Sequence, residues 1–188
     1  MSPTRPSGPG SPATDLHGLS ASVDRLTAHA SDWSTRRLLD EGLDLVRDAS
    51  WADACALFRV GSDEVTVLHA RPALRVDSST LDPDTPLPPV CAVVPTGWFP
   101  WGLAPIQADR FVLVDDARRL PASPVDGATL GSLGVRSCLH LPLRQRGRMV
   151  GALQVFWSEP RLAWDDDRGR LLRTLGRFLL TSAGRERA

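Results

Sequence analysis

Leu133-Gly134-Val135-Arg136-Ser137-Cys138-Leu139-His140-Leu141-Pro142-Leu143, continued by Arg146-Gly147-Arg148-Met149-Val150-Gly151-Ala152-Leu153-Gln154-Val155-Phe156-Trp157, is the stretch that decides the fold. Two runs of strand-forming residues flank a short charged turn with Gly147 at its tip, which is the pattern of a β-hairpin. Alternation along a strand gives each run two faces. Arg136, Cys138 and His140 share one parity, and Ala152, Gln154 and Phe156 share another, so each strand presents a coherent face carrying one polar residue of interest. A polar segment then leads to a helix expected from about Asp165 to Ser182, striped by Leu171, Leu172, Leu175, Phe178 and Leu179.

Working outward, Phe111–Val114 reads as a short apolar strand ending in Asp115-Asp116, followed by a loop over Leu120–Ser123 and a short helix within Val125–Leu133. Further upstream, Ala54–Val60 and Glu64–Ala70 flank the turn Gly61-Ser62-Asp63 and form a second hairpin. The proline-rich chain between Arg71 and Pro105 holds the cluster Trp98-Phe99-Pro100-Trp101 and no sustained periodicity, so only short helices and loops are expected there. Two helices precede the sheet. The first starts at Asp15 and carries Leu16, Leu19, Val23, Leu26 and Ala30; the second, capped near Ser31 or Asp32, carries Leu38, Leu39, Gly42, Leu43 and Val46. Residues 1–14 are rich in proline with almost nothing apolar to bury, and read as a disordered tail. The expected organisation is therefore a tail over 1–14, an N-terminal helix over 15–30 suited to dimerisation, and one α+β domain over 31–188. Its antiparallel sheet has helices on one side and a loop-rich face on the other.

At 188 residues the chain suits one core, and 42% hydrophobic with 23% charged residues is a globular composition. A formal net charge of zero supplies no long-range attraction to nucleic acid or to an anionic membrane. All 22 basic residues are arginine, and lysine, tyrosine and asparagine are absent, a pattern of GC-rich coding bias rather than of recognition chemistry. No apolar run reaches the roughly 20 residues of a membrane span, and no secretion-signal pattern opens the chain, so a cytoplasmic protein is expected. Cys55, Cys91 and Cys138 are widely separated and lack CxxC spacing, which points to reduced thiols and not to a disulfide framework or a zinc site.

The order LGVRS, LPL, G, VGAL, WDDD, LL, together with Phe99-Pro100-Trp101, Phe111-Val112-Leu113-Val114-Asp115-Asp116, Leu120-Pro121 and Trp164, resembles the GAF domain, a sensor module of bacterial signalling proteins. The resemblance covers roughly Asp32 to Ala183. It implies a profilin-like antiparallel sheet, a ligand pocket between the sheet and the irregular middle segment, and terminal helices that often bundle into a homodimer. Nothing resembling an output domain follows before Arg187-Ala188, so no role needing a covalently attached effector is expected. Bilin-binding relatives hold their chromophore through a cysteine just before the LGV-like strand, and Ala122–Gly134 contains none. Relatives that reduce free methionine sulfoxide carry a Cys-Gly motif, and none of the three cysteines here precedes glycine.

The residues expected to line the pocket are Trp98, Trp101, Asp116, Arg136, His140, Gln154 and Phe156. Trp98, Phe99 and Trp101 would form an aromatic wall for a planar ligand, or a lid packed on its own sheet. Asp115 and Asp116, adjacent on an extended chain, point apart and suit capping and ion pairs with Arg118 and Arg119 better than paired acid–base catalysis. His140 and Cys138 share a strand face, but a metal would want three or four ligands, and the other candidates, Cys91 and His69, lack motif spacing. A buried hydrogen-bonded histidine or a ligand contact remains. The expected function is a non-catalytic sensor that binds an unidentified small molecule, with no metal and no identified cofactor, and signals through a homodimer or a partner protein. The rival readings are an interaction module whose pocket is filled by its own tryptophans, and a thiol enzyme using Cys91 or Cys138.

Overall fold

The computed structural model describes residues 15–71, 93–95, 105–120, 127–132 and 134–185. The expected tail over 1–14, Cys91 and the Trp98–Trp101 cluster lie outside the described residues. In chain order the elements are α1 (Leu16–Ala28), α2 (Thr35–Ser50), β1 (Ala54–Val60), β2 (Glu64–Arg71), β3 (Val93–Pro95), β4 (Val112–Val114), a 3-10 turn (Ala117–Arg119), α3 (Gly127–Ser132), β5 (Ser137–Gln145), β6 (Arg148–Trp157) and α4 (Asp166–Arg185). The strands form one antiparallel sheet in the order β3-β2-β1-β6-β5-β4. It is the expected α+β architecture, with both hairpins in place.

Local chemistry sets the boundaries. Arg146 and Gly147 both adopt positive φ, 50° and 79°, which makes the β5–β6 connection the tight turn whose twist matches antiparallel strands. α2 is capped by Ser34, whose hydroxyl accepts from the Arg37 amide at 3.3 Å, and not by Ser31 or Asp32. The sequence window held three cap-forming side chains within four residues, and the turn over 29–33 takes up the first two. The stretch after β2, expected to contain only short helices and loops, contributes one further strand: β3 pairs with β2 through Val94↔Val65. Three residues are too few to show a period in a sequence.

Strand alternation sorts the core into two layers. Cys55 and Leu57 of β1, Leu139, Leu141 and Leu143 of β5, and Leu153, Val155 and Trp157 of β6 face α1, α2 and α4. Ala54, Ala56, Phe58, Val65, Val67, Cys138 and Phe156 face the other way, towards Val114, Ala117, Leu130 and Val135. A bulge in the β1–β2 ladder, where Leu57↔His69 is followed by Phe58↔Val67, lets Val67 and Ala70 share one face although they are three apart. It also turns His69 and Arg71 towards α2. His69 Nε2 lies 2.8 Å from Asp40 Oδ1, and Arg71 Nη2 donates to Asp44 Oδ2 at 2.6 Å, tying the edge of the sheet to the helix. The His69 hydrogen bond holds the Asp40 carboxyl below its ordinary range.

α1 folds back on its own chain. Leu19 is fully buried and Leu26 nearly so, packed with α2 and α4, while Leu16 stays exposed. Much of the apolar stripe that argued for a dimer is therefore consumed within one molecule. Among the described residues no helix is long and apolar enough to cross a membrane.

Candidate functional site

The sheet face away from α1, α2 and α4 carries the expected polar residues. His140 stands directly opposite Gln154 across the β5–β6 ladder, and the row continues to Val112 on one side and through Ala56 to Ala70 on the other. Both polar residues are buried, at 3% and 8% exposure. The next row is Val114, Cys138, Phe156 and Ala54. Ala54, Ala56, Ala70 and Ala152 make this a floor of small side chains around two hydrogen-bonding groups. That floor escaped the sequence reading, although the parity of Ala152 with Gln154 was a usable sign of it.

His140 Nε2 lies 3.2 Å from Cys138 Sγ. Burial among apolar neighbours pushes the imidazole down to about 4, so at neutral pH it is an uncharged donor–acceptor. Burial also pushes the Cys138 and Cys55 thiols up to about 12, which disfavours a thiolate at either position. His69, the other imidazole weighed as a ligand, lies on the opposite face of the sheet beside Asp40. Among the described residues there is no group of three or more side chains suited to a metal ion.

Asp116 and Arg136 meet at the end of β4. Arg118 grips Asp116 with Nε at 3.1 Å from Oδ1 and Nη2 at 2.8 Å from Oδ2, and Arg136 Nη2 approaches Oδ2 at 3.4 Å. The Arg118 hydrogen bonds, reinforced by Arg136, hold the Asp116 carboxyl well below the usual carboxylate range. Asp116 also caps the 3-10 turn by accepting from the Arg118 amide at 3.1 Å. Asp115 pairs separately with Arg119 at 3.1 Å, so the two carboxylates diverge as alternation requires. The Arg136 carbonyl accepts from the Ala117 amide at 2.7 Å, which joins the entry of β5 to the turn after β4. Arg136 Nε is buried and makes no hydrogen bond among the described residues. The structure thus brings His140, Gln154 and Phe156 together on one face and Asp116 with Arg136 at its β4 end, while Trp98 and Trp101 lie outside the described residues.

The described residues thus form a central antiparallel sheet with the terminal helices on one face and the His140–Gln154 pair on the other. The GAF domain model matches residues 34–181. The chain belongs to the GAF family. GAF domains are small-molecule-binding sensor and regulatory modules found in signalling proteins. Among solved structures, the GAF domain of a phosphoenolpyruvate-protein phosphotransferase from Coxiella burnetii is similar with TM-score 0.65 at 18% identity, covering 90% of this chain and 94% of that one. A phycoerythrobilin-bound GAF domain from a cyanobacterial phytochrome is similar with TM-score 0.64 at 14% identity, covering 89% and 96%. Free methionine-R-sulfoxide reductase from Neisseria meningitidis, in complex with its substrate, is similar with TM-score 0.60 at 18% identity, covering 90% and 92%. At such identities the likeness is one of fold. No curated protein matches the chain in sequence.

Proposed function

We propose that this GAF domain is a non-catalytic, cytoplasmic sensor or regulatory module that binds a small molecule over the alanine-floored face of its sheet and signals occupancy through a dimer or a partner protein. The observation that carries the reading is the opposed pair His140–Gln154. Two hydrogen-bonding side chains placed side by side in a floor of alanines serve to orient a ligand, whereas a face built only to pack would hold apolar groups there. Phe156 supplies apolar contact, Asp116 and Arg136 frame the β4 end, and Trp98 and Trp101 complete the proposed site. A neutral imidazole beside an amide suits a ligand edge with both donors and acceptors, and the Arg136 Nε–H suits an acidic substituent.

Thermal-shift screening of the full chain against cyclic nucleotides, nitrate, amino acids, tetrapyrroles and aromatic acids tests the proposal. One class is expected to stabilise by about 2.7 kcal/mol at a hundred times its Kd, which is about 5 °C or more for a chain of this size. The same shift should be lost in Gln154→Ala. No stabilisation by any class overturns the proposal and favours an interaction module whose pocket is filled from within.

A further inference from the structure

On the helix side of the sheet, far from the His140 face in sidedness, a cavity of about 540 Å³ opens between the end of β1, the β5–β6 hairpin and the last turns of α4. Its volume is within the range of small-molecule sites. Arg177, Leu180, Thr181 and Gly184 stand on one stripe of α4 and form one wall. Arg59, of the same strand parity as Cys55 and Leu57, and Arg144 enter from the sheet, and Val60, Val150 and Leu180 supply apolar surface.

Three guanidinium groups therefore line one cavity that has no acidic lining residue among the described residues. Arg144 is fixed in place: Nη1 and Nη2 donate to the carbonyls of Gly147 and Gln107, both at 2.7 Å, and Nε lies 3.3 Å from Asp109. Asp109 is shared with Arg173 at 3.2 Å, so one carboxylate serves two cations. Among the described residues Arg59 and Arg177 make no ion pair; Arg177 donates only to the Thr174 hydroxyl at 3.3 Å. Two of the three cations, Arg59 and Arg177, thus stand at a concave, partly apolar surface without an ion-pair partner among the described residues, which raises the local potential and favours an anion.

We propose that this cavity is a second ligand site, which takes a small organic anion with its carboxylate or phosphate head among Arg59, Arg144 and Arg177 and a short apolar body against Val150 and Leu180. The site is independent of the sensor reading, because it lies on the opposite face of the sheet.

Isothermal titration of the full chain with hexyl phosphate, hexanoate, inorganic phosphate and hexyltrimethylammonium tests it. Hexyl phosphate or hexanoate is expected to bind one per chain, and the tighter of the two assigns the head group. Replacing both Arg59 and Arg177 by Gln should weaken binding about tenfold or more, as expected for lost charge-assisted contacts. Gly184→Leu is the second variant: Gly184 lines the cavity and a Cβ there meets no described atom within 4 Å, so a larger side chain is accommodated at the cavity wall while helix propensity rises. It should abolish binding with the melting temperature retained, and Gln154→Ala should leave binding unchanged. Failure of both anions to bind overturns the proposal, as do equal binding of the ammonium probe and undiminished binding to Gly184→Leu.

Discussion

His140 combines near-complete burial with an imidazole held down at about 4. In the unfolded chain the same group titrates near about 6.5. Between these values the unfolded state binds the extra proton, so stability falls as pH drops from about 6.5 towards 4 and is retained above that window, by up to ~3 kcal/mol. Urea unfolding at pH 7 and pH 4.5 should show this loss in the wild type and a smaller one in His140→Gln; equal losses would refute the assignment. Asp116 acts lower. Its carboxyl is depressed by Arg118 and Arg136, so its contribution is present above the unfolded carboxylate range and disappears only as pH falls below it. The two residues were both legible in the sequence as polar oddities. What alternation alone left open was which side of the sheet they occupy, since a one-residue change of register exchanges the faces.

At the level of elements, close approach between β1, β6 and α4 is built on Gly151. A Cβ on this residue would press against the Phe58 carbonyl oxygen and lie 2.8 Å from Leu180 Cδ2. Leu180 can turn aside, but the Phe58 oxygen belongs to the neighbouring strand's backbone. Gly151→Ala is therefore expected to destabilise by about 1–3 kcal/mol, in the range of overpacked cores, read as a lower urea midpoint with an unchanged slope. The same approach recurs between the helices, where a Cβ on Gly42 would meet Leu179 Cδ2 at 2.5 Å. Here only a side-chain end stands in the way, so Gly42→Ala should cost less than Gly151→Ala. Gly151 was visible in the sequence as part of the hairpin strand, and its tight fit against a non-neighbouring backbone was not.

For the whole molecule, α1 is the element whose role the fold changes most. Its stripe read as a dimer surface, yet Leu19 and Leu26 complete the layer between α2 and α4. Removing residues before Ser31 should cost on the order of 3 kcal/mol, the transfer energy of two buried leucines, and light scattering of the full chain at micromolar concentration then separates the two roles. A dimer mass that survives the truncation assigns the interface to other helical surface; a dimer lost with α1 assigns it to the first helix; a monomer throughout ends the dimer proposal. A truncated chain as stable as the full one would show that α1 is not part of the core.

Hydrophobic periodicity and turn chemistry determined the two hairpins, the three long helices and the α+β class from the sequence alone, because these signals are local and repeat over many residues. The parity of His140 with Cys138, and of Gln154 with Phe156, was likewise a property of the chain. Only the tertiary structure decided that the helices take the Leu139–Leu141–Leu143 face, leaving the polar pair over alanines, since burial is a competition between two faces of one sheet. It alone joined β3 to the sheet edge, turned His69 to Asp40 through a bulge and folded α1 onto its own core. Arg59, Arg144 and Arg177, 118 positions apart at their extremes (177 − 59), converge on one cavity because β1 lies beside β6 and α4 crosses the end of both. Convergence of that kind is set by non-local strand pairing, which no local pattern in the chain encodes.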